Sequence, residues 1–118
     1  GGTLITLSYY GAEKVVDNYN LMGPVKAALE SSVRYMAAEL GPRGIRVHAI
    51  SPGPIRTRAA SGIQDFETLA RDAETRSPLR RLATVDDVGQ CAVFLASGAG
   101  QSLTGSTLYV DAGHNIRA

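Results

Sequence analysis

The chain opens on Thr3-Leu-Ile-Thr-Leu7, a short β-branched run that is apolar on both faces. Such a run fits a strand buried inside a parallel sheet. A polar, glycine-containing loop follows from Ser8 to about Asn18. From about Asn20 the pattern turns helical, with Met22, Leu29, Val33, Met36 and Leu40 predicted as one buried stripe. Gly41-Pro42 closes that helix, and Pro24 requires it to start near Leu21, where the first amides lack partners in any helix. Ile45-Arg-Val-His-Ala-Ile50 reads as a second strand, broken into a loop by Ser51-Pro-Gly-Pro54. Phe66, Leu69, Ala70 and Ala73 mark a short amphipathic helix, and Ser77–Arg81 reads as a linker. Thr84-Val-Asp-Asp87 resembles a capping box for a third helix with the stripe Val88, Cys91, Ala92 and Leu95. A glycine-rich loop, Gly98 to Gly105, leads into a last strand, Thr107-Leu-Tyr-Val110.

Strands alternating with helices predict an α/β fold with a parallel sheet. Three strands are few, because a doubly wound dinucleotide-binding sheet has about six. No glycine-rich phosphate loop follows a strand and opens a helix here. Gly98-Ala-Gly100 comes after a helix and before a strand, the wrong context. The expectation is therefore the C-terminal half of a doubly wound Rossmann-type sheet. Residues 1–118 would form part of one domain whose N-terminal cofactor-binding half is absent. The opening Gly1-Gly2, with no initiator Met, also reads as a chain cut from something longer.

Composition narrows the function. A length of 118 residues suits one domain, and 12 Lys+Arg against 11 Asp+Glu leave a net charge of +1. That balance offers no polybasic footprint for nucleic acid or an anionic membrane. No apolar run approaches the roughly 20 residues of a membrane span. The single Cys91 excludes an internal disulfide framework and a Cys-based zinc cage. His48 and His114 lack companion ligands in sequence, so no metal site is expected and each reads as a structural or solvated residue.

Candidate chemistry centres on Tyr19 and Lys26. On one continuous helix they would share a face about 10 Å apart. A lysine in an apolar stripe either snorkels to water or serves a bound ligand. Tyr9 follows the first strand, where parallel sheets present ligand-binding groups, though a packed aromatic is the plainer reading. Gly53-Pro-Ile-Arg-Thr57 leaves the second strand at the same end of the sheet. It is either a proline-rich loop or a segment whose amides can hydrogen-bond a flat amide and a phosphate.

Taken together, Ser8-Tyr-Tyr-Gly-Ala-Glu13, Asn18-Tyr-Asn-Leu-Met-Gly23 and Lys26-Ala-Ala-Leu-Glu30 resemble the active-site region of the NADH-dependent enoyl-acyl-carrier-protein reductases. These are divergent short-chain dehydrogenases of bacterial type II fatty-acid synthesis. The resemblance runs on through Arg34-Tyr-Met-Ala37, Gly44-Ile-Arg-Val47, Gly53–Thr57, Ala59-Ala-Ser-Gly-Ile63, Pro78-Leu-Arg-Arg81, Asp87-Val-Gly89 and Val110-Asp-Ala-Gly113. It matches the C-terminal half of that family. Ordinary short-chain dehydrogenases place the catalytic Tyr four residues before the Lys, which here is Met22. The Tyr19-to-Lys26 spacing, with Tyr9 ten residues earlier, is the enoyl reductase pattern.

The resemblance implies that Tyr19 hydrogen-bonds the thioester carbonyl, Lys26 holds the nicotinamide ribose, and Tyr9 flanks the enoyl group. It implies NADH contacts from Ile55, Arg56, Thr57, Arg58 and Ala59, and an acyl pocket lined by Met22, Ile63 and Phe66. It further implies an acyl carrier protein as partner, a homotetramer and a cytoplasmic location. Pro52 and Asp111-Ala-Gly113 depart from the usual pattern. A non-catalytic fragment or assembly module, and a related 3-oxoacyl-thioester reductase, are the alternatives. Lacking a phosphate loop, these 118 residues alone are expected to be inactive.

Overall fold

A computed structural model describes all 118 residues. Three strands, β1 (Gly2–Leu7), β2 (Ile45–Pro52) and β3 (Thr107–Val110), form one parallel sheet in the order β1-β2-β3. Helix α1 (Met22–Leu40) connects β1 to β2, and α2 (Phe66–Arg76) and α3 (Val85–Ala96) lie between β2 and β3. The β1–β2 register runs from Gly2 opposite Ile45 to Leu7 opposite Ile50, and Ala49–Pro52 pair with Thr107–Val110. All six elements fall where the hydrophobic pattern predicts them.

The central strand carries the core. Val47 and Ala49 pack with Val33 and Ala37 of α1, while the alternation along β2 turns His48 and Ile50 to the opposite face. α3 covers that second face and buries Leu95 fully, with Val88, Cys91 and Ala92 half-buried beside it. Its start is the predicted capping box. Thr84 Oγ1 accepts from Asp87 N at 3.1 Å, and Asp87 Oδ2 accepts from Thr84 N at 2.9 Å.

Two boundaries differ from expectation. β2 runs through Ser51 to Pro52 instead of breaking after Ile50, because Ser51 and Pro52 still pair with Tyr109 and Val110. α1 is also turned about its axis relative to the predicted stripe. Met22 and Met36 are about two-fifths exposed, whereas Lys26, Glu30, Val33, Ala37 and Leu40 line the inward face. The reason is close approach. Ala37 meets the region of Gly105, where a Cβ would lie 3.4 Å away, so small residues face the sheet and the methionines do not. Pro24 falls at the third position of α1, within the first turn, where it removes no helical bond.

Candidate active site

The C-terminal ends of β1 and β2 open into a cleft, and its two walls are built differently. The first wall continues β1. Ser8 N donates to Ile50 O at 2.8 Å, after which a single 3-10 turn spans Tyr10–Ala12. Two consecutive turns of α1 grip this corner. Lys26 Nζ donates to Leu7 O at 2.9 Å, and the Ser8 hydroxyl donates to the Glu30 carboxylate, both of the latter residues being buried.

Tyr19 does not sit on α1 as the sequence predicted. It occupies the turn before it, buried to 9% exposure, between Asn18 and Asn20, which both hold left-handed backbones (φ 65° and 55°). Asparagine tolerates that conformation better than most residues, and the paired reversals swing the phenol inward. Its ring packs edge-on to Tyr9 at 5.0 Å, and Tyr9 packs edge-on to Tyr10 at 5.0 Å. Gly11 is required here, because a Cβ would lie 2.6 Å from the Tyr19 ring. The Tyr9 hydroxyl is buried with no hydrogen-bond partner. Burial pushes the Tyr19 phenol above its ordinary pKa. Tyr9 is raised further, by burial first and then by the neighbouring Tyr10, Tyr19 and Asp72. Both phenols therefore stay protonated at neutral pH.

The second wall leaves β2 through Pro52, Gly53 and Pro54. Gly53 N donates to Val110 O at 3.2 Å, and a Cβ on Gly53 would lie 3.1 Å from Asp111 Cβ. Beyond it, Thr57 Oγ1 accepts from Ala60 N at 3.1 Å, and Ser61 Oγ donates to Arg58 O at 2.6 Å. These short-range bonds form the turn that delivers Ile63, Phe66 and Leu69.

The cleft between the walls has a volume of about 500 Å³ and is mostly apolar. Tyr9, Tyr19, Met22 and Lys26 line one side, and Ile55, Thr57, Ala59, Ile63 and Phe66 line the other. Arg56 and Arg58 are not among its lining residues. Arg56 is exposed, paired with the Glu67 carboxylate, and its guanidinium stands 5.9 Å from the centre of the Phe66 ring. Arg58 is exposed as well. A second groove, of about 560 Å³ along Gly11–Asn20, shares Tyr19 but neither Tyr9 nor Lys26.

The sequence did not single out Ser8, Leu69, Val85 and Val88 on the cleft lining, nor Glu30, which accepts from the Ser8 hydroxyl behind it. Glu30 had a legible signal, since it stands one helical turn after Lys26 and one before Val33. His48 and His114 are both buried and far apart in role. Burial and the adjacent Arg46 push the His48 imidazole down. No group of three His, Cys, Asp or Glu side chains is placed to hold a metal ion.

Residues 1–115 match the sequence profile of the family described as Enoyl-(Acyl carrier protein) reductase. The chain belongs to that family. The NADH-named enoyl-acyl-carrier-protein reductase of Bacillus cereus is 53% identical over 116 residues, 98% of this chain and 45% of that relative. The Escherichia coli reductase of the same name is 52% identical over 118 residues, 100% of this chain and 45% of that relative. Among solved structures, the B. cereus reductase with NADP+ and an indole naphthyridinone superposes with a TM-score of 0.97 at 52% identity. The match covers all of this chain and 46% of that one. The Anaplasma phagocytophilum enoyl-acyl-carrier-protein reductase with NAD gives 0.92 at 50% identity, over 100% and 43%. The chain thus spans a little under half the length of these reductases. Its three-stranded α/β architecture is that of the enoyl reductase fold.

Proposed function

We propose that this chain forms the substrate and nicotinamide side of an NADH-dependent enoyl-acyl-carrier-protein reductase, as the C-terminal part of one longer Rossmann-type domain. The observation that carries this reading is the convergence of Tyr9, Tyr19 and Lys26 on one apolar cleft, opposite Ile55 and Thr57. The residues present fit the cofactor. The Tyr9 hydroxyl has no protein partner, and Lys26 spends one of its three N–H donors on Leu7 O.

When bound, NADH would supply a hydride to the β-carbon of a trans-2-enoyl thioester, the displaced π pair forming an enolate that takes a solvent proton at the α-carbon. Negative charge then grows on the thioester oxygen, and the protonated Tyr19 phenol donates a hydrogen bond to it. That donor is pre-placed by the Asn18–Asn20 turn, so it acts most strongly on the transition state. Tyr9 flanks the enoyl group. The remaining Lys26 donors would hold the ribose hydroxyls, and the ammonium would add positive potential there. Ile55 and Thr57 would meet the carboxamide and phosphate groups, with Ala59 beside them, while Arg56 and Arg58 stand exposed outside the lining. Met22, Ile63 and Phe66 enclose the acyl chain.

The same reading gives an acyl carrier protein as the substrate's bearer and a cytoplasmic homotetramer as the working form. The outward apolar side chains Val25, Tyr35 and Met36 of α1 are suited to a symmetry-related contact. No helix is long and apolar enough to cross a membrane. The test is to assay the full-length protein with NADH against crotonyl and acetoacetyl thioesters. NADH oxidation with the crotonyl thioester alone is expected. Activity confined to the acetoacetyl thioester would instead make it a 3-oxoacyl reductase, and activity with neither would favour a non-catalytic module.

A further inference from the structure

Two buried side chains after β3, Asp111 and His114, take no part in the proposed chemistry. Asp111 orders the turn that follows it. Its carboxylate accepts from Gly113 N and Asn115 N, each at 2.9 Å, and from Asn115 Nδ2 at 3.0 and 3.2 Å. Gly113 has a left-handed backbone (φ 86°), and a Cβ there would lie 2.8 Å from Pro78. The turn directs His114 inward to 4% exposure, edge-on to Tyr10 at 5.3 Å, with Nε2 3.5 Å from Asp72 Oδ2 on α2. From the other side, the Lys14 ammonium donates to Asn115 O and, at 3.3 Å, to Arg117 O. The turn therefore touches the loop that follows Tyr9 and the helix that carries Phe66 and Leu69.

This bridge matters because of how the second wall is held. The hydrogen bonds and ion pairs of residues 54–76 stay within that segment or reach only the linker directly behind it. The exception is Asp72 with His114. Besides packing at Ala70 and Ala73 and the Leu79 N–Ala112 O bond of the linker behind it (3.2 Å), this is the polar contact that ties α2 itself to the turn beside the tyrosine wall.

We propose that His114 is a specificity-determining positioning residue. Through Asp72 it sets how closely α2 approaches Tyr9 and Tyr19, and so how wide a cleft the acyl chain meets. The proposal rests on reading that cleft as the acyl pocket. A shift of α2 changes how much of a long chain is enclosed, and leaves the carbonyl held by Tyr19 untouched.

The experiment compares His114→Ala, Asp72→Ala and the double variant in the full-length reductase, using crotonyl and dodecenoyl thioesters with NADH. Each single variant is expected to raise KM for the dodecenoyl substrate about fivefold, with kcat for the crotonyl substrate within about twofold. The double variant should be no worse than His114→Ala, and His114→Gln, which keeps a donor, should restore part of the loss. An unchanged ratio of the two substrates' kcat/KM, or losses that multiply in the double variant, would overturn the proposal. Should His114→Ala fail to fold, Asp72→Ala changes a part-exposed residue and carries the test. Hydrogen exchange gives a readout independent of turnover. Amides of α2 should exchange about fivefold faster in Asp72→Ala, and an unchanged rate would refute the brace. If the unaltered protein reduces no enoyl thioester, the functional reading fails, while the exchange result still decides the brace.

Discussion

The tyrosine wall and the α2 wall of the cleft hold their residues by opposite means. Ser8, Lys26 and Glu30 tie the first wall to β2 and α1 by bonds between residues 19 to 42 positions apart in sequence. In the second wall, beyond the Gly53 N–Val110 O bond at its root, Thr57, Arg58, Ser61 and Glu67 bond to neighbours 3 to 11 positions away, and only Asp72 reaches far. Long-range bonds break only when the sheet and helix separate, whereas local ones let a segment open by itself. The two walls divide the labour proposed for the cleft. On the proposed function, groups that must meet a reacting oxygen within a few tenths of an ångström stand on the cross-braced wall, and groups that only need to exclude water from an acyl chain stand on the adjustable one.

The largest expected effect removes the donor from the braced wall. Tyr19→Phe in the full-length protein should lower kcat by about 10²–10³, equivalent to roughly 2.7–4 kcal/mol of transition-state stabilisation, with NADH affinity unchanged. Steady-state kinetics and fluorescence titration check the two halves of that statement. Lys26→Ala should weaken NADH binding about tenfold and slow turnover as well, since the ammonium donates to Leu7 O and, on the proposed function, grips the cofactor. Normal NADH affinity in that variant would return Lys26 to the snorkelling reading.

Changes on the adjustable wall should be smaller and of another kind. Phe66→Ala is expected to raise KM for a long enoyl thioester about three- to tenfold while kcat stays within about twofold. Arg58→Ala, at an exposed position outside the cleft lining, should change NADH affinity less than about twofold. The mildest effect is alkaline. Tyr109, pushed up to about 12 by burial and then by Glu13 and Glu30, and Tyr9, raised by burial, keep their protons after the unfolded chain's tyrosines release theirs. Stability is therefore full below about pH 10 and declines as pH rises toward 12, and Tyr109→Phe should flatten that decline in urea-unfolding midpoints.

The same contrast decides how much could be read from sequence. Strands and helices were legible because their apolar periods are local properties, and the spacing of Tyr9, Tyr19 and Lys26 carried the family resemblance. The rotation of α1 was not legible. Counting apolar residues favours Met22 and Met36 as the buried stripe, but the inward face is chosen by Ala37 against Gly105 and by the Lys26 and Glu30 contacts to β1. Tyr19's true place was also hidden, since seven-residue spacing looks helical until the left-handed Asn18 and Asn20 are seen. Arg56 is a cofactor contact only on the family resemblance, and its guanidinium pairs with Glu67 near the Phe66 ring, a contact made by the turn between that no periodicity announces.

One data set tests the division of labour most directly: kcat and KM for crotonyl and dodecenoyl thioesters, with NADH affinity, measured side by side for Tyr19→Phe and Phe66→Ala in the full-length protein. Tyr19→Phe is expected to lose kcat equally with both substrates, at unchanged NADH affinity. Phe66→Ala should lose KM selectively for the longer one. A Tyr19→Phe variant with wild-type kcat, or a Phe66→Ala variant that loses kcat equally with both substrates, would contradict that division.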